Sequence, residues 1–116
     1  MAHFMTTRRV EFCDTDLAGI VHFANFYRYM EQAEHAFFRA LGLKIHGFHP
    51  DGTKCGWPRV NAMCSFHAPA YYEQLVEIRI TIVRRSPRSL TTKYDFFYGD
   101  VLLANGEMKT AFCVFP

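Results

Sequence analysis

Asp14 and Asp16 stand one residue apart in the stretch EFCDTDLAGIVHFANF, residues 11–26. Two carboxylates this close repel each other, and burying either is costly. They sit between a strand-like run and a helix-like run, where a held acid can act as nucleophile or general base. A polar turn, or a carboxylate capping the helix, is the plainer reading. Types and spacing alone do not choose between the two aspartates. A second group with reactive side chains lies at His46, His49, Asp51 and Cys55. Its ligand types resemble a metal site, but it lacks a tight second pair, so no metal is expected there. The four cysteines, Cys13, Cys55, Cys64 and Cys113, form no C-x-x-C pair. They read as reduced thiols, three of them inside strand-like runs.

The acidic loop must be carried by the elements around it. Residues 5–13 are β-prone. Over residues 23–41, Phe26, Met30, Ala33, Phe37 and Leu41 recur at helical spacing and form one apolar stripe. Phe23, Tyr27 and Phe38 widen it, so the helix is expected to be buried on more than one side. Gly42 is a natural stop. Residues 43–58 are rich in glycine and proline and read as a loop. Four β-prone runs follow, at residues 59–68, 74–85, 89–98 and 101–115. In the second, Val76, Ile78, Ile80 and Ile82 alternate with Glu77, Arg79 and Thr81, which face the other way. Asn105-Gly106 is formally a hairpin signal. A turn already precedes this run, so one long strand with a bulge at the glycine is preferred. The order β-α-β-β-β-β with short turns makes an α+β domain, one long helix covering a largely antiparallel sheet.

The bulk numbers bound what this domain does. A chain of 116 residues suits a single domain over 1–116, and half its residues are apolar. Twelve Phe and six Tyr leave spare apolar surface, so self-association is expected. A net charge of +2 lacks the basic excess of a nucleic-acid binder. No apolar run approaches the roughly 20 residues of a membrane span. The N-terminal residues lack a basic segment followed by an apolar core, so the expected compartment is cytoplasmic.

The segment DTDLAGIVHFANFYRYMEQAEHAFFRALG resembles the signature of hotdog-fold acyl-CoA thioesterases of the 4-hydroxybenzoyl-CoA thioesterase type. Its typed positions are Asp14, Asp16, Gly19, Ile20, Val21, His22, Asn25, Phe26 and Glu31. SFHAPAYYEQLVEIRITI, with an acid at Glu73, resembles the family's next two strands, and the likeness runs from about residue 6 to the end. The resemblance implies a hotdog fold, a long central helix wrapped by a curved antiparallel five-stranded sheet. It implies hydrolysis of acyl-CoA to free acid and CoA with no cofactor beyond the CoA of the substrate. It also implies a homodimer at least, with sites at the subunit interface, and a tetramer in many members.

Thioester hydrolysis needs an activated nucleophile and a polarised carbonyl. The N–H groups and positive dipole end of a helix N-terminus supply the second. The resemblance selects Asp16 as the catalytic acid, acting as nucleophile or general base, and leaves Asp14 to accept loop N–H bonds. Gly19 turns the backbone tightly, and Ile20 and Val21 support the loop. His22 either contacts the thioester or packs at the helix start, and Asn25 orients the loop. Glu31 reads as structural or as a minor contributor to the chemistry. Tyr27 is a candidate for the acyl pocket. Arg84, Arg85 and Arg88, in RRSPRS, are candidates for the CoA phosphates, which suit guanidinium geometry. The acyl group is expected to be aromatic or short-chain. A rival reading is a hotdog module that binds acyl-CoA or an acyl carrier protein without cleaving it. A dehydratase of the same fold fits Asp-x-Asp poorly.

Overall fold

In the computed structural model, which describes residues 2–115, the apolar stripe becomes a helix, α1, over Phe23–Ala40. Phe26, Met30, Ala33 and Phe37 are buried as the spacing predicts, and Phe38 is buried beside them. Leu41 falls just past the helix end and is exposed. Tyr29 and Glu34 are buried too, so the helix does bury more than one side.

The strands are β1 (Phe4–Arg9), β2 (His46–Phe48), β3 (Lys54–Gly56), β4 (Arg59–Phe66), β5 (Leu75–Ser86), β6 (Ser89–Tyr98), β7 (Val101–Ala111) and β8 (Cys113–Val114). Five of them form one antiparallel sheet in the order β1-β5-β6-β7-β4. Its inner face meets α1 through Val76, Ile78 and Ile80 of β5, Tyr94 and Phe96 of β6, and Ala104 and Met108 of β7. Glu77 and Arg79 alternate away from that core, as the pattern of β5 predicts. Each fully buried side chain of this size contributes about 1.5–3 kcal/mol. Cys64 of β4 packs on the same core, and burial pushes its thiol up to about 11, which makes it a poor nucleophile. All four cysteines are free.

Three bulges interrupt the ladders. Val60 is the extra residue in β4, Val83 in β5 and Leu103 in β7. Each adds local twist and bends the sheet. The bulge expected at Gly106 therefore lies three residues earlier. β7 runs unbroken through Asn105 and Gly106, as one strand and not a hairpin. Gly106 is there for another reason: a Cβ on it would lie 2.5 Å from Met30 Sδ and 2.9 Å from the Met63 carbonyl oxygen. Glycine lets α1 settle directly onto β7.

Two sequence expectations need correction. The first strand ends at Arg9, not at residue 13, because Phe12–Asp14 folds as a 3-10 turn closed by reciprocal bonds between Glu11 and Asp14. Residues 43–58 are not all loop. β2 and β3 form a hairpin that pairs with β8 to make a second, three-stranded sheet. The partner strand is far away in sequence, and Trp57 packs on Phe112 at 5.4 Å to seal the join. Neither signal is local.

Glu34 is the more deeply buried of two buried acids, 3% exposed against 7% for Asp14. Arg59, at the start of β4, donates to Glu34 at 2.6 Å and reaches Glu31 at 3.4 Å, so Glu31 has a structural partner. Burial raises the Glu34 carboxyl above its ordinary value, and Arg59 opposes that shift.

Two stability predictions follow from this packing. Gly106→Ala should cost about 1–3 kcal/mol in urea denaturation, since a methyl must displace Met30 and meet the Met63 carbonyl. Arg59→Ala should leave Glu34 buried with only the His35 ring, 3.9 Å away, beside it, at a cost of about 3–5 kcal/mol at pH 8. The folded-state pKa of Glu34 is then raised further. The loss is largest above that value and shrinks as pH falls toward the unfolded one and Glu34 takes up a proton. Melting temperatures of wild type and variant should converge between pH 8 and pH 5; an equal gap at both would refute it.

Candidate active site

Asp14 organises the loop. Its Oδ2 accepts the Glu11 N–H at 2.9 Å and the Tyr29 hydroxyl at 2.9 Å, with the Arg8 guanidinium at 3.5 Å. Its carbonyl oxygen accepts the His22 N–H at 2.9 Å and the Asn25 side-chain amide at 2.8 Å. One buried residue thus ties the 3-10 turn, the loop and the first turn of α1 together. Burial, aided by the bond to Asp14, raises the Tyr29 hydroxyl far above its ordinary value, so it remains a neutral donor.

Asp16 follows on the exposed side. Its N–H donates to the Ile20 carbonyl, and its own carbonyl accepts the Gly19 N–H at 3.0 Å, closing a tight turn. Gly19 has φ +81°, which a residue with a Cβ adopts only with strain. No protein atom stands within 4 Å of a Cβ built there, so the glycine serves the turn rather than protein packing. The loop is pinned by bridges from Thr15 to Val21 and from Ile20 to Tyr71, and by the Val21 N–H on the Ala70 carbonyl. Asp16 Oδ1 accepts the Ala18 N–H at 2.9 Å. Among the described residues, Oδ2 takes no hydrogen bond.

The helix start is less open than the sequence suggests. His22 is the N-cap: its Nδ1 accepts the Ala24 N–H at 3.2 Å, and its carbonyl accepts the Asn25 N–H. Its ring lies 4.7 Å from Phe23. Capping therefore consumes the N–H groups on which the expected oxyanion hole depends, except one. Among the described residues, the Phe23 N–H has no acceptor.

Asp16, Ile20, Val21, Phe23, Phe26 and Phe66 line one cleft of about 470 Å³, continued by His67, Ala68 and Pro69. That volume suits a small organic ligand, and the wall is mostly apolar. Phe66 meets Phe23 at 6.2 Å and Phe26 at 5.5 Å, both edge-on. Phe66 and the Phe23 N–H escape a reading of the sequence. A phenylalanine ending a β-prone run gives no sign of which face it joins.

Other expected residues lie elsewhere. Tyr27 is half-buried against the core and does not line this cleft. Arg84 and Arg85 lie near the end of β5 and Arg88 in the turn to β6, at the far end of β5 from the Asp16 loop. At about 3.3 Å per residue, β5 separates the two ends by roughly 35 Å. The arginines also diverge: Arg85 joins a cleft on the helix side with Phe37 and Phe38, whereas Arg84 lines a cleft with Lys109. One protomer does not bring them to Asp16. His46, His49, Asp51 and Cys55 form no ligating cluster among the described residues. Among the described residues the one grouping of that kind is Glu11, Cys13 and Asp14, and its Asp14 carboxylate already serves the loop.

One long helix against a five-stranded antiparallel sheet, with an acid held in a turn before the helix, defines a hotdog domain with a carboxylate site. Comparison with known proteins agrees. A family model of the thioesterase superfamily matches residues 18–105, and the chain belongs to that family. A protein of Aquifex aeolicus provisionally called an esterase is 31% identical over 106 residues, covering 91% of this chain and 81% of its own. A solved gentisyl-coenzyme A thioesterase is 33% identical with TM-score 0.84, covering 97% of this chain and 89% of that one. A solved 1,4-dihydroxy-2-naphthoyl-CoA thioesterase from Synechocystis is 25% identical with TM-score 0.88, covering 97% and 83%.

The Asp14 hub predicts the effect of Tyr29→Phe. Removing one hydroxyl leaves Asp14 Oδ2 with a single close donor, at a cost of about 1–2 kcal/mol. Hydrogen exchange of the Val21 and His22 amides should accelerate more than that of the β6 amides. A uniform acceleration would mean that the loop does not depend on this bond.

Proposed function

We propose that the protein hydrolyses an acyl-CoA thioester, with Asp16 as the catalytic carboxylate. The observation that supports this most directly is the unengaged Oδ2 of Asp16 in a cleft that also receives the loop and the helix start. A thioester carbonyl bound there meets the acid on one side. The Phe23 N–H, with the positive end of α1 behind it, is the donor toward the developing oxyanion. Asp16 attacks the carbonyl carbon to form an acyl-aspartyl anhydride that water then cleaves, or it takes a proton from an attacking water. Either route releases CoA and the free acid. No metal or separate cofactor is invoked.

The acyl group we propose is aromatic. Phe23, Phe26 and Phe66 present ring faces and edges to a planar group. Two of the similar proteins are named for hydroxylated aromatic acyl thioesters. Short-chain aliphatic substrates remain the comparison class. We further propose that the protein works as a homodimer or larger homo-oligomer in the cytoplasm. β4 supports the oligomer: it is an edge strand of eight residues, with Val60, Met63 and Phe66 exposed along it. Edges of this kind invite pairing with another strand. Among the described residues, no helix is long and apolar enough to cross a membrane.

The test is thiol release from a panel of aromatic and short-chain acyl-CoAs. Asp16→Asn should lower kcat by about 10²–10⁴-fold, the range for one acid–base group. Normal turnover by that variant would sink the mechanism. CoA binding without hydrolysis across the panel would favour the non-catalytic module instead.

A further inference from the structure

A second cleft lies at the other end of α1 from the Asp16 loop and shares none of that site's lining residues. It encloses about 390 Å³ between the end of the helix and the β5–β6 hairpin. Phe37 and Phe38, each 5% exposed, form its floor. Ile82 and Leu90 from the two strands and Trp57 from the link between β3 and β4 form its walls. Leu41 and Leu43 sit at the rim with 54% and 55% of their surface in water. Such apolar surface gains from being covered. No acidic residue lines the cleft, whereas Lys44 and Arg85 do. Among the described residues neither cation has a carboxylate within ion-pairing distance. Arg85 lies opposite Leu90 on the helix side of the sheet. Lys44 is not needed to cap α1, because the carbonyls of Phe37, Phe38 and Arg39 already accept the N–H groups of Leu41, Gly42 and Leu43. The Ser86 and Ser89 hydroxyls bond to each other at 2.6 Å, which leaves one of the two O–H groups to donate outward.

We propose that this cleft binds a free fatty carboxylate of medium length, its chain against Phe37, Phe38 and Trp57 and its head at Arg85 and Lys44. A carboxylate only accepts hydrogen bonds, and it brings the charge that two unpaired cations and a spare hydroxyl call for. The volume selects a chain over a single ring. At about 30 Å³ per water-sized group, the cleft takes on the order of a dozen non-hydrogen atoms, close to a saturated acid of about ten carbons. A benzoate leaves part of the wall without contacts. A nucleotide phosphate would meet the same cations and leave the aromatic floor uncovered. The ligand is neither a thioester nor CoA, so the proposal stands apart from the thioesterase reading.

Trp57 is the single tryptophan of the chain, so its emission reports on this end of the molecule. Decanoate, titrated below its micellar concentration, should change that emission saturably. Trp57 also lines a neighbouring cleft with Phe112, and Arg85 does not. Arg85→Gln should therefore weaken decanoate about tenfold, through loss of one charge-assisted contact. Leu43→Asp should weaken it further by placing a like charge at the rim. Both positions are exposed, and circular dichroism should show both variants folded. Decanol, the same chain without the charge, should bind about tenfold more weakly than decanoate and equally to wild type and Arg85→Gln. Saturating CoA should leave the decanoate affinity unchanged. The absence of saturable decanoate binding, in emission and in calorimetry, overturns the proposal. So does equal affinity in wild type and both variants, benzoate binding as tightly as decanoate, or displacement of decanoate by CoA.

Discussion

The carboxylate of Asp14 is the constraint on which the site depends. It bonds to the Glu11 N–H and the Tyr29 hydroxyl, while the carbonyl of the same residue takes the His22 N–H and the Asn25 amide. A nearly buried acid is costly unless its lone pairs are used. Here the partners come from the turn before the loop and the first two turns of α1. The loop cannot shift against the helix without leaving a buried acceptor unpaired. Asp16 and the Phe23 N–H are held on either side of that anchor.

The anchor needs a rigid floor, and apolar packing supplies it. Phe26, Met30, Ala33 and Phe37 press onto the inner face of the sheet, and Gly106 lets Met30 come in close. These contacts dominate the energetics. The Glu34–Arg59 pair is close, yet desolvation offsets most of its attraction. Its contribution is registry: it fixes the fourth turn of α1 against the first residue of β4, whereas an apolar stripe alone tolerates sliding.

The same sheet also places its two chemically interesting ends far apart. The acid, the helix start and the aromatic cleft gather near Leu75, the first residue of β5. The basic turn sits at Ser86, the last.

Much was legible in the sequence because it is encoded locally. The helical stripe from Phe26 to Phe37, the alternation in β5 and the short turns set the class of fold through side-chain periodicity alone. The acid–x–acid loop with Gly19 marked where chemistry would sit. It could not say which acid is exposed, since that depends on Tyr29 reaching back fifteen positions to Asp14. Tertiary structure decided what depends on distant partners. The β2–β3 hairpin forms a sheet because β8 returns to pair with β3. Gly106 is small because Met30 lies over it. His22 spends its ring nitrogen as a cap and leaves one helix N–H open. Arg84 rather than Arg85 faces away from α1 because one bulged residue, Val83, shifts the alternation. Periodicity determines which residues share a face, and only the folded ladder determines what stands opposite them.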